Sequence, residues 1–203
     1  MEVYSYKLKN SSVDVGKFIN KLSAYIILLM KQEDLNKYFA NTWKSNLDRY
    51  QYSGWALADK IQSNESVLDV GCGFNEFKTR ILNLTGLDPA NDCADVKLPI
   101  EEYSPLTKFD VALCLGSINF GDKLTIMNQI ACVVNCLNPT ARIYWRCNPG
   151  LADHGNEQCK DIDFYPWSID EHVKLSELFG FRLMTCCWDN DRIYAEWTRQ
   201  SDV

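Results

Sequence analysis

Val67-Leu68-Asp69-Val70-Gly71-Cys72-Gly73-Phe74 is the stretch that decides how this chain folds. An apolar run that meets a carboxylate and breaks into Gly-x-Gly has the composition of a buried parallel strand. Such a strand delivers its backbone into a tight turn beside a nucleoside ligand. Nineteen residues beyond Asp69 stands Asp88, which closes a second apolar run, Leu84-Thr85-Gly86-Leu87. A carboxylate at the end of the second strand of a Rossmann-like sheet accepts hydrogen bonds from the two ribose hydroxyls. An adenosine-containing cofactor is therefore expected.

The residue after the turn decides which cofactor. A dinucleotide site places a third glycine three residues past the second, so that the following helix packs closely and meets the pyrophosphate with its N-terminus. Here that position is Glu76, whose charge would repel a phosphate. S-adenosylmethionine carries a sulfonium, an ammonium and a carboxylate but no phosphate, and acidic residues around the turn suit it.

These runs, together with the later Phe109-Asp110-Val111-Ala112-Leu113-Cys114-Leu115-Gly116, resemble the first, second and fourth strand motifs of class I S-adenosylmethionine-dependent methyltransferases, from about residue 54 onward. The resemblance implies an α/β, Rossmann-like fold. Its sheet would have seven mostly parallel strands with the last antiparallel, helices on both faces and an N-terminal helical cap. It implies S-adenosylmethionine as cofactor, held by Asp69, Gly71, Cys72, Gly73, Asp88 and Pro89, with Leu115, Gly116 and Ser117 closing the fourth strand. Asp95 resembles the acidic residue that meets the adenine amino group. Only six residues separate it from Asp88, where the family places a helix, so Asp92 is the alternative.

Outward from this centre, the chain reads as one domain over 1–203, with a cap over 1–60 and a cofactor-binding core over 61–203. Apolar residues at helical spacing run from Val15 to Leu29 and again from Trp43 to Ile61, and predict two cap helices. Phe74 to Ile81 allows two helical turns at most, and a short edge strand is expected near Cys93 to Val96. Leu124 to Leu137 reads as a helix stopped by Asn138-Pro139, and Ala141 to Trp145 as the next strand. Ser168-x-x-Glu171 opens a helix that stops at Gly180. Phe181 to Trp188 and Arg192 to Trp197 then form a hairpin, a feature of methyltransferase sheets and not of ordinary dinucleotide folds.

Charge and cysteine usage narrow the class. The net charge of −6 divides into +3 over residues 1–60 and −9 beyond. An acidic body disfavours broad nucleic-acid binding and leaves a small-molecule substrate as the expectation. Nine cysteines at irregular spacing, with no apolar signal core near the N-terminus, read as reduced thiols in a cytoplasmic protein. No apolar run approaches a membrane span. Cys147, His154, Cys159 and Asp161 are metal-ligand types without a C-x-x-C pair, so no metal is expected.

Methyl transfer needs alignment and desolvation more than acids and bases. Asn119, after the fourth strand, is placed near the transferred methyl. In the loop that follows the fifth strand, Arg146 is a candidate clamp for an anion and His154 a candidate base. Asn148-Pro149 follows the wrong strand, and precedes the wrong residue, for the Asn-Pro-Pro-Tyr element of amino-directed DNA methyltransferases. The competing readings are a non-catalytic module on the same fold and a nicotinamide-dependent oxidoreductase, which Glu76 and the hairpin weaken.

Overall fold

The computed structural model describes residues 33, 35–150 and 163–200. Six strands form one sheet: β1 (Val67–Val70), β2 (Leu84–Leu87), β3 (Phe109–Leu115), β4 (Leu137–Cys147), β5 (Phe181–Asp189) and β6 (Arg192–Arg199). Their order is β2-β1-β3-β4-β6-β5, and β6 runs antiparallel to both its neighbours while the other pairings are parallel. The C-terminal hairpin is thus inserted with its last strand inside the sheet.

The sheet has six strands and not the expected seven. The segment near Cys93 to Val96 makes a single parallel bridge, Leu87 to Val96. A parallel crossover takes a dozen or more residues, usually a helix, and the short connection from Asp88 to Asp95 cannot supply it. The chain turns there through Ala90 and Asn91, whose amides both donate to Asp88.

Alternation along the strands divides the core into two layers. Leu68, Ala112, Ile143, Trp145 and Trp197 face α2 (Lys123–Asn135) and α3 (Ile169–Leu178). On α2 the buried Ile126, Ile130 and Val133 recur at helical spacing. Asp122 caps α2 by accepting from the Thr125 amide, and Ser168 caps α3 by accepting from that of Glu171. Glu171 does not complete the box, because its carboxylate accepts from the Tyr165 hydroxyl at 2.7 Å. The indoles of Trp145, Trp167 and Trp197 lie at the centre of this layer; each buries on the order of 200 Å², about 5 kcal/mol as an upper estimate.

The opposite face carries Val67, Val111, Leu113, Tyr144 and Tyr194. Among the described residues it is covered by short 3-10 segments, Leu47–Arg49 and Trp55–Lys60, where one long helix was expected, and Glu76–Thr79, within the two turns expected there. The expected helix from Trp43 to Ile61 is broken at two points. Asp189 takes the amides of Gln51, Tyr52 and Ser53, which a helix would need for its own ladder. Gly54 also lies so close to the preceding turn that a Cβ there would stand 2.1 Å from the Leu47 carbonyl oxygen. Helix instead occupies 35–41, which we label α1. The expected helix over Val15 to Leu29 lies outside the described residues.

Asn138-Pro139 is not a stop before a loop, since β4 already begins at Leu137. Pro139 sits near the start of that strand, at the register shift between Phe109 and Val111, where a missing amide disturbs no ladder.

Candidate functional site

Asp69 and Asp88 end adjacent parallel strands at the same rim of the sheet, since Asp69 pairs with Gly86 and Val70 with Leu87. Above them the glycine turn is tied to β2. The amides of Gly71 and Cys72 donate to the Leu87 carbonyl at 2.7 and 3.1 Å, and that of Gly73 donates to the Asp88 carboxylate at 3.0 Å. Gly71 (φ +68°) and Gly73 (φ +54°) both occupy the left-handed region that favours glycine. A Cβ on Gly71 would come within 2.3 Å of Ser117 Cβ, so the turn packs against the end of β3 only because no side chain intervenes.

The rim opens into a cavity of about 760 Å³, within the range of small-ligand sites. Gly71, Gly73, Asp88, Pro89, Leu115, Gly116, Ser117 and Arg146 line it, so eight residues anticipated from sequence meet at one place. Ser117 Oγ is buried and has no hydrogen-bond partner. Asp88 accepts three backbone hydrogen bonds, from Gly73, Ala90 and Asn91, and a carboxylate has about four acceptor sites. One remains for a ligand hydroxyl.

Asp69 lies beneath this lining, 4% exposed. Burial pushes its carboxyl up to about 7; the Arg146 guanidinium opposes the shift and the charge of Asp88 adds to it. Cys72 does not line the cavity; it lies half-buried beside the turn, and its thiol is pushed up by burial and by the neighbouring carboxylates.

Three further expectations about individual residues change. Asp95 does not reach the cavity. It accepts from the Gly86 amide at 2.8 Å and from Asn75 at 3.2 Å and pairs with Lys78; against the opposing effect of partial burial, these contacts hold its carboxyl below its ordinary range. Asn119 is not at the cavity surface either. Its side-chain oxygen accepts from the Asn148 amide at 3.0 Å and its carbonyl from the Tyr165 amide, which fastens two loops together. Arg146 belongs to β4 and not to the following loop; it is 8% exposed and donates to the carbonyls of Leu115 and Ser53. His154 lies outside the described residues.

The sequence reading expected an N-terminal cap but named none of its residues in the site. Tyr38, Phe39, Trp43, Arg49 and Tyr50 close over the rim from the N-terminal side, and Arg192 enters from the start of β6. Trp43 stacks on Phe74 with ring centres 6.1 Å apart, and its ring is 3.0 Å from where a Gly73 Cβ would stand. The aromatic density of Tyr38-Phe39 and Trp43 was the available signal. On the floor, Leu98 to Glu101 join the lining beside Asp88.

Among the described residues no group of His, Cys, Asp or Glu is placed to hold a metal ion, and no helix is long and apolar enough to cross a membrane.

No family profile matches the sequence, and no curated protein does. Solved structures do. The 1,6-didemethyltoxoflavin-N1-methyltransferase of Burkholderia thailandensis, solved with 1,6-didemethyltoxoflavin and S-adenosylhomocysteine, superposes with a TM-score of 0.68 at 13% identity, over 88% of this chain and 90% of that one. Magnesium protoporphyrin IX methyltransferase from Synechocystis PCC 6803, with S-adenosylmethionine bound, gives 0.60 at 13% identity over 84% and 97%. The N-methyltransferase NodS of Bradyrhizobium japonicum WM9, with S-adenosylhomocysteine, gives 0.58 at 12% identity over 84% and 99%. The likeness is one of fold, the Rossmann-like class I methyltransferase architecture.

Proposed function

We propose that this chain, which has the class I methyltransferase fold, is an S-adenosylmethionine-dependent methyltransferase acting on a small molecule. The observation that carries the reading is the tie between the Gly73 amide and the Asp88 carboxylate at 3.0 Å, which fixes the glycine turn and a ribose acceptor in one unit. The neighbours solved with this cofactor or its product support it.

The residues present fit that cofactor. Asp88 retains an acceptor site for a ribose hydroxyl, and the unpartnered Ser117 Oγ offers a further polar contact. When bound, S-adenosylmethionine supplies a methyl group on a cationic sulfur. The chain's own part is positioning and exclusion of water. Gly71 and Gly73 let the backbone approach closely, and α1 with Trp43 roofs the cavity so that an acceptor and a donor meet out of bulk solvent. That roof also favours an acceptor small enough to be enclosed.

Calorimetric titration with S-adenosylhomocysteine tests the reading. Saturable binding is expected for the native protein, with at least a ten-fold loss in Asp88→Ala. Absence of heat with the native, folded protein would overturn it.

A further inference from the structure

The far end of the cavity has a composition of its own. Arg146 is buried yet meets no carboxylate within ion-pair distance among the described residues. Two of its five N–H groups go to backbone carbonyls, and the guanidinium lies 4.3 Å from the ring centre of Tyr50. Arg49 and Arg192 line the same end and share one carboxylate, Asp191, at 2.5 and 2.6 Å. The other acid nearby, Asp189, has its oxygens occupied by donors from Gln51, Tyr52 and Ser53. Asp69, beneath, is pushed towards its neutral form by burial. Three guanidiniums thus converge where few acceptors are free, and a buried cation with unspent donors is costly unless something else satisfies it.

The same cavity also carries an aromatic wall. Phe39 meets Phe120 at 5.5 Å and Trp43 at 5.8 Å between ring centres, and all three line the cavity. Flat, rigid, apolar surfaces of this kind favour a planar ring.

We propose that this end binds a planar aromatic acceptor bearing a carboxylate or similar anionic oxygen group, with its ring against Phe39, Trp43 and Phe120 and its anion against Arg49, Arg146 and Arg192. The inference rests on the cofactor reading above and names the acceptor class for the same site. The one other source of an anion is the methionyl carboxylate of the cofactor itself. Arg146 reaches back to the Leu115 carbonyl on β3, two strand spacings or about 10 Å from β2 where Asp88 sits, whereas Arg192 opens β6, four spacings or about 19 Å away, so the arm of the cofactor lies nearer Arg146 than Arg192. Arg49 and Arg192, joined through Asp191, form the part of the cluster farther from β2.

The test uses the full chain saturated with S-adenosylhomocysteine and two probes, 2-naphthoate and its uncharged counterpart 2-naphthamide, followed by calorimetry and tryptophan quenching. Naphthoate is expected to bind at least ten-fold more tightly than the amide. Arg49→Gln and Arg192→Gln should each erase most of that preference and leave S-adenosylhomocysteine affinity within about two-fold, one charge-assisted hydrogen bond being worth about ten-fold. Equal binding of the two probes by protein that still binds S-adenosylhomocysteine would overturn the acceptor assignment alone. So would variants that lose S-adenosylhomocysteine but keep 5′-methylthioadenosine, which lacks the amino-acid arm, because the cluster would then hold the cofactor's carboxylate. Failure of the native protein to bind S-adenosylhomocysteine would overturn both the cofactor reading and the assignment built on it.

Discussion

Asp189, at the end of β5, accepts from both the backbone amide and the hydroxyl of Ser53 at 2.7 Å, across a separation of 136 residues. Both residues are buried, and the same carboxylate also holds the amides of Gln51 and Tyr52. One acid from the C-terminal hairpin thereby fixes the segment that carries Arg49 and Tyr50 over the cavity.

Asp189→Ala strands those donors and is expected to cost about 3–5 kcal/mol. Urea denaturation would show a lower midpoint at unchanged slope. Asp189→Asn, which keeps one acceptor oxygen, should recover part of the loss.

Gly71→Ala imposes a side chain on a left-handed residue and drives its Cβ into Ser117. A destabilisation of about 2–3 kcal/mol is expected. Adding Ser117→Gly should return the steric part but not the backbone strain, a difference that thermal unfolding of the single and double variants would resolve.

Asp69 gives stability a dependence on pH. Its folded carboxyl titrates near 7 and its unfolded one near the ordinary value of 3.8, so between these limits the native state holds the extra proton. Stability through this group therefore falls as pH rises over that window, by up to about 4 kcal/mol, and is constant above it. Asp69→Asn should flatten that slope when unfolding free energies are measured from about pH 4 to about pH 8.

His172 acts with the opposite sign. Its ring stacks on Trp167 at 4.6 Å, lies beside Trp145 and Trp197, and leaves both nitrogens without partners. Burial lowers it to about 3 from 6.5, so the unfolded chain takes up the proton first as pH falls. The stability lost by about pH 5 is about 2 kcal/mol. His172→Phe should remove this acid sensitivity while retaining the ring packing, as denaturation at pH 5 and 7 would show.

Local signals were enough for the frame. The apolar runs that end in Asp69 and Asp88 became adjacent strands, the capping serine at 168 began a helix, and Asn190-Asp191 turned the hairpin. Each depends on neighbours within a few residues, which is the range over which composition and periodicity carry information. The short stretch between Asp88 and Asp95 was visible, yet an edge strand was expected near Cys93 to Val96, where the chain makes only the Leu87–Val96 bridge.

What the sequence by itself determined, then, was the order of the main strands and part of the cavity lining, Gly71, Gly73, Asp88, Pro89 and Leu115 to Ser117. Only the tertiary structure decided that Asp95 is consumed by Lys78 and Gly86, that Asn119 fastens loops, and that Trp43 to Ile61 is not a helix. It also brought Arg49, Arg146 and Arg192 to one end of the cavity. The physical reason is competition for hydrogen-bond partners. A polar side chain near the rim goes to whichever buried donor or acceptor the folded chain presents, and those partners, like Ser53 for Asp189, stand far away in sequence.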